Sequence, residues 1–395
     1  MLKGKSILLG VTGSIAAYKI TGLITALRRL NAEVNVIMTK NATEIITPLT
    51  MERLSGNRCI VHTFDKNVQY SVKHISLAES ADLVMIAPAT ANIIGKIACG
   101  IADDMLTTTV MACKCPIYIS PAMNTNMFEN PIVQDNISRL KTFGYKIIEP
   151  AVGWLACGSV GAGKMPDPEV LLDYIINELG HKKDMLGKRV LITAGATCEA
   201  IDPVRYITNH STGKMGFAIA AACARRGADV TLVKAETTAP VPRFVNVIEV
   251  KSAEEMFNVV SDNFENNDIV IKAAAVADYT PVKTADNKIK KTEGELNIEL
   301  KRTKDILKWL GEHKKSQYLC GFSMETQNLV ENSLKKLKEK NADMIVANNL
   351  KVEGAGFGTD TNVVTLITKD GSVELPKMSK DEVADKILDK IMECM

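Results

Sequence analysis

A surplus of either charge is missing from this 395-residue sequence: 48 Lys and Arg stand against 46 Asp and Glu, for a net charge of +2. That balance argues against nucleic acid or an anionic membrane surface as a partner, so any anionic ligand must be held by local groups. A run of the ~20 apolar residues that a membrane-spanning helix takes is missing as well. The opening Met1–Lys5 leads into Ser6-Ile7-Leu8-Leu9-Gly10, a short apolar run with no small-residue cleavage site behind it. It reads as a first strand and not as a secretory signal. Low-complexity segments and short-period repeats are lacking, which removes solenoids and coiled coils. The nine cysteines are odd in number and scattered, with only Cys113 and Cys115 close together. They suit a reducing, cytoplasmic setting, and a lone C-x-C pair reads as core filling in preference to a metal site.

What is present is a globular composition, 46% apolar and 24% charged, in a chain long enough for two domains. Ser6 to Val11 is strand-like, Ser14 to Leu30 has helical spacing, and Glu33 to Met38 is strand-like again, so the chain opens on a βαβ unit. The same grammar restarts at Lys188 to Gly195, with an alanine-rich helix over Gly213 to Arg226 and a strand over Ala228 to Val233. Two such openings predict an α/β protein of two doubly wound, Rossmann-like or flavodoxin-like domains with mainly parallel sheets. The polar, glycine-bracketed stretch Glu178 to Gly187 follows an amphipathic helix starting near Pro168, and divides the chain into 1–184 and 185–395. Lys283 to Arg302 reads as a solvated hairpin.

In open α/β sheets, ligands gather at the carboxyl ends of strands, where a glycine-bearing turn offers backbone N–H groups to phosphate. Val11-Thr12-Gly13-Ser14-Ile15-Ala16-Ala17-Tyr18-Lys19 is such a turn, but it lacks the G-x-G-x-x-G spacing and on its own is equally an ordinary strand-to-helix connection. Ala87-Pro88-Ala89-Thr90-Ala91-Asn92 and Ser120-Pro121-Ala122-Met123-Asn124-Thr125-Asn126-Met127 also follow strands. Asn209-His210-Ser211-Thr212-Gly213-Lys214-Met215-Gly216 is not a P-loop, because Thr208 and Met215 stand where that motif needs Gly and a hydroxyl. It can still cap a helix and bind phosphate through the helix N-terminus.

Gly13 to Lys19, Ala87 to Asn92, Gly100-Ile101-Ala102-Asp103-Asp104-Met105-Leu106-Thr107-Thr108 and Pro121-Ala122-Met123-Asn124 are similar to the signatures of the homo-oligomeric flavin-containing cysteine decarboxylases. In that family the last motif usually ends in an aromatic, often Trp, after the position of Met127; here it is Phe128. The run Thr193 to Asn209 resembles the phosphopantothenate–cysteine ligase family, as do Ala273-Ala274-Ala275-Val276-Ala277-Asp278-Tyr279, Lys288-Ile289-Lys290-Lys291 and Gly321-Phe322-Ser323-Met324-Glu325-Thr326. Proline is common there in place of Cys198, and Pro-Asp in place of Lys304-Asp305.

The resemblance implies a fused enzyme of coenzyme A biosynthesis. Its second half would join 4′-phosphopantothenate to cysteine through an acyl cytidylate made from CTP, with Mg²⁺ bridging phosphates. Its first half, with FMN, would decarboxylate phosphopantothenoylcysteine to 4′-phosphopantetheine. It further implies FMN contacts at Gly13, Ser14, Thr39, Pro88, Ala89, Thr90, Asn92 and Ser120. Among the catalytic residues, His74 would handle protons, Asn124 would bind the substrate carboxylate, and Cys157, on a glycine-dense flap, would donate the last proton. For CTP the implied contacts are Ala273, Ala274, Ala275, Asp278, Lys288, Lys304, Asp305, Ile306, Leu307, Phe322, Lys336 and Lys340, with Asn209 needed to convert the acyl cytidylate. Decarboxylase trimers joined by ligase dimers are the implied assembly. A regulatory flavoprotein acting by protein binding and a flavin prenyltransferase are the rival readings. The joint presence of His74, Asn124 and Cys157 and the ligase half speaks against both.

Overall fold

The computed structural model describes residues 1–64, 73–154, 158, 160–290, 295–325, 328–349 and 358–395. Two compact units divide the chain, Met1–Lys182 and Lys183–Met395.

The first unit is built on five parallel strands: β1 (Ser6–Val11), β2 (Glu33–Met38), β3 (Leu83–Ala89), β4 (Ile117–Pro121) and β5 (Lys146–Ile147). Their spatial order is β2-β1-β3-β4-β5, so the winding reverses between β1 and β3. Alternate residues of β1 serve opposite faces, as the period of two requires. Ile7, Leu9 and Val11 pack with Ile20, Leu23, Ile24 and Leu27 on one side, whereas Leu8 joins Val84, Ile86, Ile93 and Ile97 on the other. Each fully buried aliphatic chain contributes about 1.5–3 kcal/mol, which is why both faces of the sheet are covered. Cys113 and Cys115 are half-buried against the second of these cores. A hairpin of β6 (Ala151–Trp154) and β7 (Val160–Lys164) stands outside the sheet.

The predicted helix over Ser14 to Leu30 forms in two parts, a 3₁₀ turn over Ile15–Lys19 and an α-helix over Ile20–Arg29. Ala17 N–H bonds the Ser14 carbonyl, three residues back, which tightens the first turn.

The main sheet of the second unit has eight strands: β8 (Arg189–Ala194), β9 (Asp229–Lys234), β10 (Asn246–Glu249), β11 (Ile269–Lys272), β12 (Tyr318–Glu325), β13 (Met344–Asn349), β14 (Val364–Thr368) and β15 (Gly371–Glu374). They lie in the order β10-β9-β8-β11-β12-β13-β14-β15. All pairs are parallel up to β13, and β14 and β15 add an antiparallel edge. The reversal of winding falls between β8 and β11, the position where such sheets open a crevice. The alanine-rich helix spans Lys214–Arg225; its Gly216 packs so close to β8 that an added Cβ would meet the Ala194 Cβ at 2.6 Å. In the stretch read as a solvated hairpin, exposed Leu300–Arg302 pairs antiparallel with Tyr279–Pro281. Residues 291–294 of that stretch lie outside the described residues.

No helix among the described residues is long and apolar enough to cross a membrane.

Candidate functional site

In the first unit, the loops after β1 and β3 meet where the winding reverses. Buried Thr12 donates its hydroxyl to the Pro88 carbonyl at 2.7 Å and accepts the Thr90 N–H at 3.1 Å. This clamp joins two of the predicted segments, although Thr12 itself had not been singled out; a polar residue closing an apolar strand was its signal. Gly13 passes so close to the next element that a Cβ would meet the Asn41 Cβ at 2.6 Å. Thr90 caps the helix Ala91–Ala98, accepting from Ile93 N–H, and Thr39 stands at the N-cap of Lys40–Thr43 with its N–H bonded to Val11. Ala89 is buried at the end of β3 and Asn92 is exposed one turn into the helix that follows.

Ser120, at the end of β4, is fully buried, and its Oγ has no hydrogen-bond partner among the described residues. Leaving a buried hydroxyl unmatched costs about 1–3 kcal/mol, so an unmatched one at a strand's carboxyl end fits a bound ligand as its partner. Nearby, a cavity of about 320 Å³ is lined by Ser14, Tyr18, Lys19, Asn124, Trp154 and Lys164, among others. Asn124 caps the short helix Thr125–Phe128, its Oδ1 accepting the Asn126 N–H at 2.9 Å. The hairpin reaches this wall: the Gly163 carbonyl accepts Met123 N–H, and its φ of +117° together with its approach to the Met123 carbonyl excludes a side chain there. Lys19 pairs with Asp167 at 2.7 Å and holds that carboxyl below its usual range.

His74 is half-buried in the helix Lys73–Ser80 and does not line this cavity. Cys157 lies outside the described residues.

In the second unit, eight residues assigned to the nucleotide line one cavity of about 570 Å³: Asp278, Lys304, Asp305, Ile306, Leu307, Phe322, Lys336 and Lys340. Asp305 caps the helix Ile306–His313 through Lys308 N–H at 2.9 Å and takes the Lys340 ammonium at 2.6 Å. Burial pushes its carboxyl up, and the bond from Lys340 with the cap outweighs that, leaving it below the ordinary range. Lys336 donates to the Phe322 carbonyl at 3.2 Å, and the Lys304 ammonium sits 4.3 Å over the Phe257 ring. Lys272, which the sequence does not single out, lines the same cavity.

Ala273 to Ala275 form the loop leaving β11. Ala274 N–H bonds the Thr193 hydroxyl at 3.1 Å and Ala275 N–H bonds the Gly195 carbonyl at 2.9 Å. The Ala275 carbonyl accepts from Thr197 N–H at 3.2 Å and from the Asn209 amide at 3.1 Å, which places Asn209 beside this loop. Lys288 is exposed and outside the 570 Å³ cavity. Its neighbour Ile289 is held on both backbone groups, by the Asp202 carboxylate and the Arg205 guanidinium. Asp202 and Arg205 line a larger cavity of about 790 Å³, with Lys251, Glu255, Arg302 and Lys304 among its walls. Arg302 and Lys304 are common to both cavities. Neither Asp202 nor Arg205 had been picked out from the sequence, since their partner Ile289 is far along the chain.

Two family models match. The Flavoprotein model covers residues 1–180, and the DNA/pantothenate metabolism flavoprotein C-terminal domain covers residues 185–395. The coenzyme A biosynthesis bifunctional protein CoaBC of Bacillus subtilis (strain 168) is 48% identical over 395 residues, 99% of this chain and 97% of its own. That of Borreliella burgdorferi is 44% identical over 391 residues, 98% of this chain and 99% of its own. Among solved structures, the C-terminal domain of a coenzyme A biosynthesis bifunctional protein CoaBC is 47% identical, covering 53% of this chain and 96% of its own, with a TM-score of 0.46. With identity at this level sustained from end to end, the chain belongs to the CoaBC family of coenzyme A biosynthesis bifunctional proteins.

Proposed function

We propose that this chain carries out two consecutive steps of coenzyme A biosynthesis, a CTP-dependent ligation of 4′-phosphopantothenate with cysteine and an FMN-dependent decarboxylation of the product. Residues 1–184 are assigned the decarboxylation and residues 185–395 the ligation. The observation that carries the reading is the convergence of eight assigned nucleotide residues on one cavity that is rich in basic side chains.

In the ligation, the carboxylate of phosphopantothenate attacks the α-phosphorus of CTP, pyrophosphate leaves, and the acyl cytidylate is captured by the cysteine amine with loss of CMP and a proton. Lys336 and Lys340 supply cationic donors to the phosphates, and Asp278 and Phe322 line the nucleotide's pocket. Lys288, exposed beside the Ile289 that Asp202 and Arg205 hold, is assigned a further contact to the phosphates. The Asn209 amide, set beside the Ala275 carbonyl, steadies the acyl cytidylate for attack. Among the described residues no group of three His, Cys, Asp or Glu side chains is placed to hold a metal. The reading therefore has Mg²⁺ arriving on the phosphates, with waters completing its shell.

FMN is the flavin assigned to the first unit. The residues present fit it: Ser120 offers a buried hydroxyl with no hydrogen-bond partner among the described residues, Gly13 lets its turn pack against Asn41, and Thr90, with Ser14 and Thr39, stands at a helix or turn N-terminus suited to phosphate. Pro88 and Ala89 would back the ring system and Asn92 its edge. The chemistry such a group supplies when bound is a reversible two-electron oxidation of the cysteinyl thiol, which makes the neighbouring carboxylate a leaving group. Asn124 holds that carboxylate, His74 moves a proton, and Cys157 returns one to the product carbon.

Ile15, Tyr18, Trp154 and Val160 are large apolar side chains left exposed near this site, and His74 is not among the residues lining the cavity of its own chain. Both features support an assembly in which a second copy completes the flavin site, as in decarboxylase trimers joined through ligase dimers.

The test is a coupled assay. Purified protein should show flavin absorbance and convert phosphopantothenate, cysteine and CTP into 4′-phosphopantetheine with one pyrophosphate and one carbon dioxide per turnover. Colourless protein without turnover, or pyrophosphate release that ignores CTP, would overturn the proposal.

A further inference from the structure

Lys272 ends β11, the strand flanked by β8 and β12, with Thr193 and Gly321 as its register partners. Residues two apart on a strand share a face. Val270 belongs to the core formed with Leu307, Leu337 and Ile345, so Lys272 emerges on that same face one pleat further on, at the core's edge. There it is half-buried and lines the 570 Å³ cavity.

The charged and titratable groups around it come from three elements. Lys336 and Lys340 belong to the helix Leu329–Glu339 and its C-cap; Arg302, Lys304 and Asp305 precede the helix Ile306–His313, and Lys308 lies in that helix. Asp278 ends the loop beyond β11, and Tyr279 opens the short strand that follows it. Lys340 is taken by Asp305, Lys336 by the Phe322 carbonyl, and Lys304 by the Phe257 ring. Lys272 makes no hydrogen bond or ion pair with any described residue, and its opposite number in β12 is a glycine, which has no side chain to offer one. A Cβ on Gly321 would meet Leu307 Cδ2 at 2.7 Å.

Asp305 and Asp278 favour the charge of this ammonium through space, but at the edge of a core, among other cations and with no hydrogen-bond acceptor, it gains a direct partner when an anion enters. Six basic side chains line the cavity against two acidic ones, so the local field draws in a polyanion. Burial, followed by the nearby Lys336, pushes the Lys272 ammonium down to about 8, so a phosphate placed against it would restore its charge.

We propose that Lys272 is a phosphate-binding residue of the nucleotide site, its ammonium donating to a phosphate oxygen of bound CTP. This rests on the nucleotide reading of the cavity. The other phosphate in the reaction belongs to phosphopantothenate. CTP is assigned to Lys272 because the lysine shares its cavity with Asp278, Phe322 and Lys336, and it is not among the walls of the larger neighbour.

The experiment titrates the full-length flavin-loaded protein with CTP and Mg²⁺ by calorimetry, without phosphopantothenate so that nothing turns over, between pH 7 and 9. Lys272→Met keeps the aliphatic stem; Lys272→Arg keeps the charge. At pH 7 the Met variant should bind CTP about tenfold more weakly and the Arg variant close to normally, with 4′-phosphopantothenate binding unchanged in both. Wild-type affinity for CTP should fall as pH rises past about 8, because only the protonated amine donates charge, and this bend should vanish in both variants. Equal CTP affinity in wild type and Met variant, a bend that persists in the variants, or a loss confined to phosphopantothenate overturns the proposal. A wild-type protein that does not bind CTP at all overturns the nucleotide reading instead. Should the Met variant fail to fold, the Arg variant and the wild-type pH profile decide, an unbent profile counting against Lys272.

Discussion

The carboxylate of Asp202 accepts the backbone N–H of Ile289, 87 residues further along the chain, at 3.1 Å. The same carboxylate accepts the Val204 and Arg205 N–H groups and pairs with the Arg205 guanidinium, which in turn donates to the Ile289 carbonyl. The buried carboxylate of an otherwise exposed turn therefore grips the residue next to Lys288. These donors, the Arg205 bond first among them, hold the Asp202 carboxyl below the usual carboxylate range.

Asp202→Asn should release that grip, since an amide nitrogen would face N–H donors. Ligation is expected to slow on the order of tenfold at the pyrophosphate-releasing step, with decarboxylation of supplied phosphopantothenoylcysteine unchanged. The carboxylate is depressed in the folded state, so its stabilising contribution is complete above the ordinary carboxylate pKa and is lost as pH falls toward the lower folded value. Thermal unfolding followed from pH 7 downward should show the wild-type advantage over Asp202→Asn shrinking only in that acid range. A constant gap, or equal ligation rates, would count against the grip.

Ser120→Ala separates ligand binding from folding. Removing an unmatched buried hydroxyl leaves the flavin-free protein as stable as wild type or more so, whereas loss of one hydrogen bond to the flavin weakens FMN by about tenfold. Flavin-free melting temperature and FMN titration measure the two effects. A less stable flavin-free protein with unchanged FMN affinity would mean the hydroxyl has a structural partner.

His74→Asn and Cys157→Ser should both stay yellow and fail at different points. The first is expected to lose carbon dioxide release. The second should still release carbon dioxide but lose its final proton donor, a change of ~10²–10⁴-fold in rate, with an enethiol product accumulating in mass spectra. Normal 4′-phosphopantetheine yield from either variant removes that residue from the chemistry, and colourless His74→Asn protein makes the imidazole structural.

Much of this was legible in the sequence because its signals are local. Apolar runs mark strands over Ser6 to Val11 and Lys188 to Gly195, and the structure has them at Ser6–Val11 and Arg189–Ala194; the small-residue turn behind the first holds Gly13. What escaped depends on distant partners. Asp202 and Ile289 meet only through the fold, and Thr12 matters because Pro88 and Thr90 lie on the adjacent strand. Lys272 reads as one more strand residue until the helix bearing Lys336 packs above it. The antiparallel edge of β14 and β15 follows a parallel core and carries no motif, so hydrophobic periodicity alone does not tell its direction.

Lys288 and Asn209 should separate the two halves of ligation. Lys288 is exposed beside the clamped Ile289, free of the packing that would make its loss a folding defect. Lys288→Gln removes a cation whose bond to phosphate is worth ~1.5–3 kcal/mol, so acyl cytidylate formation should slow at least about tenfold. Asn209 donates to the Ala275 carbonyl at 3.1 Å. Asn209→Asp replaces that donor with a carboxylate, which repels the carbonyl oxygen and the phosphate of the intermediate alike, so activation proceeds and the acyl cytidylate accumulates. Incubating each variant with phosphopantothenate, labelled CTP and Mg²⁺, with and without cysteine, resolves the steps. Pyrophosphate release should be slow in the first variant; in the second it should be followed by a cysteine-insensitive labelled intermediate. Wild-type turnover in both, or identical blocks ahead of pyrophosphate release, would show that the two residues do not divide the reaction in this way.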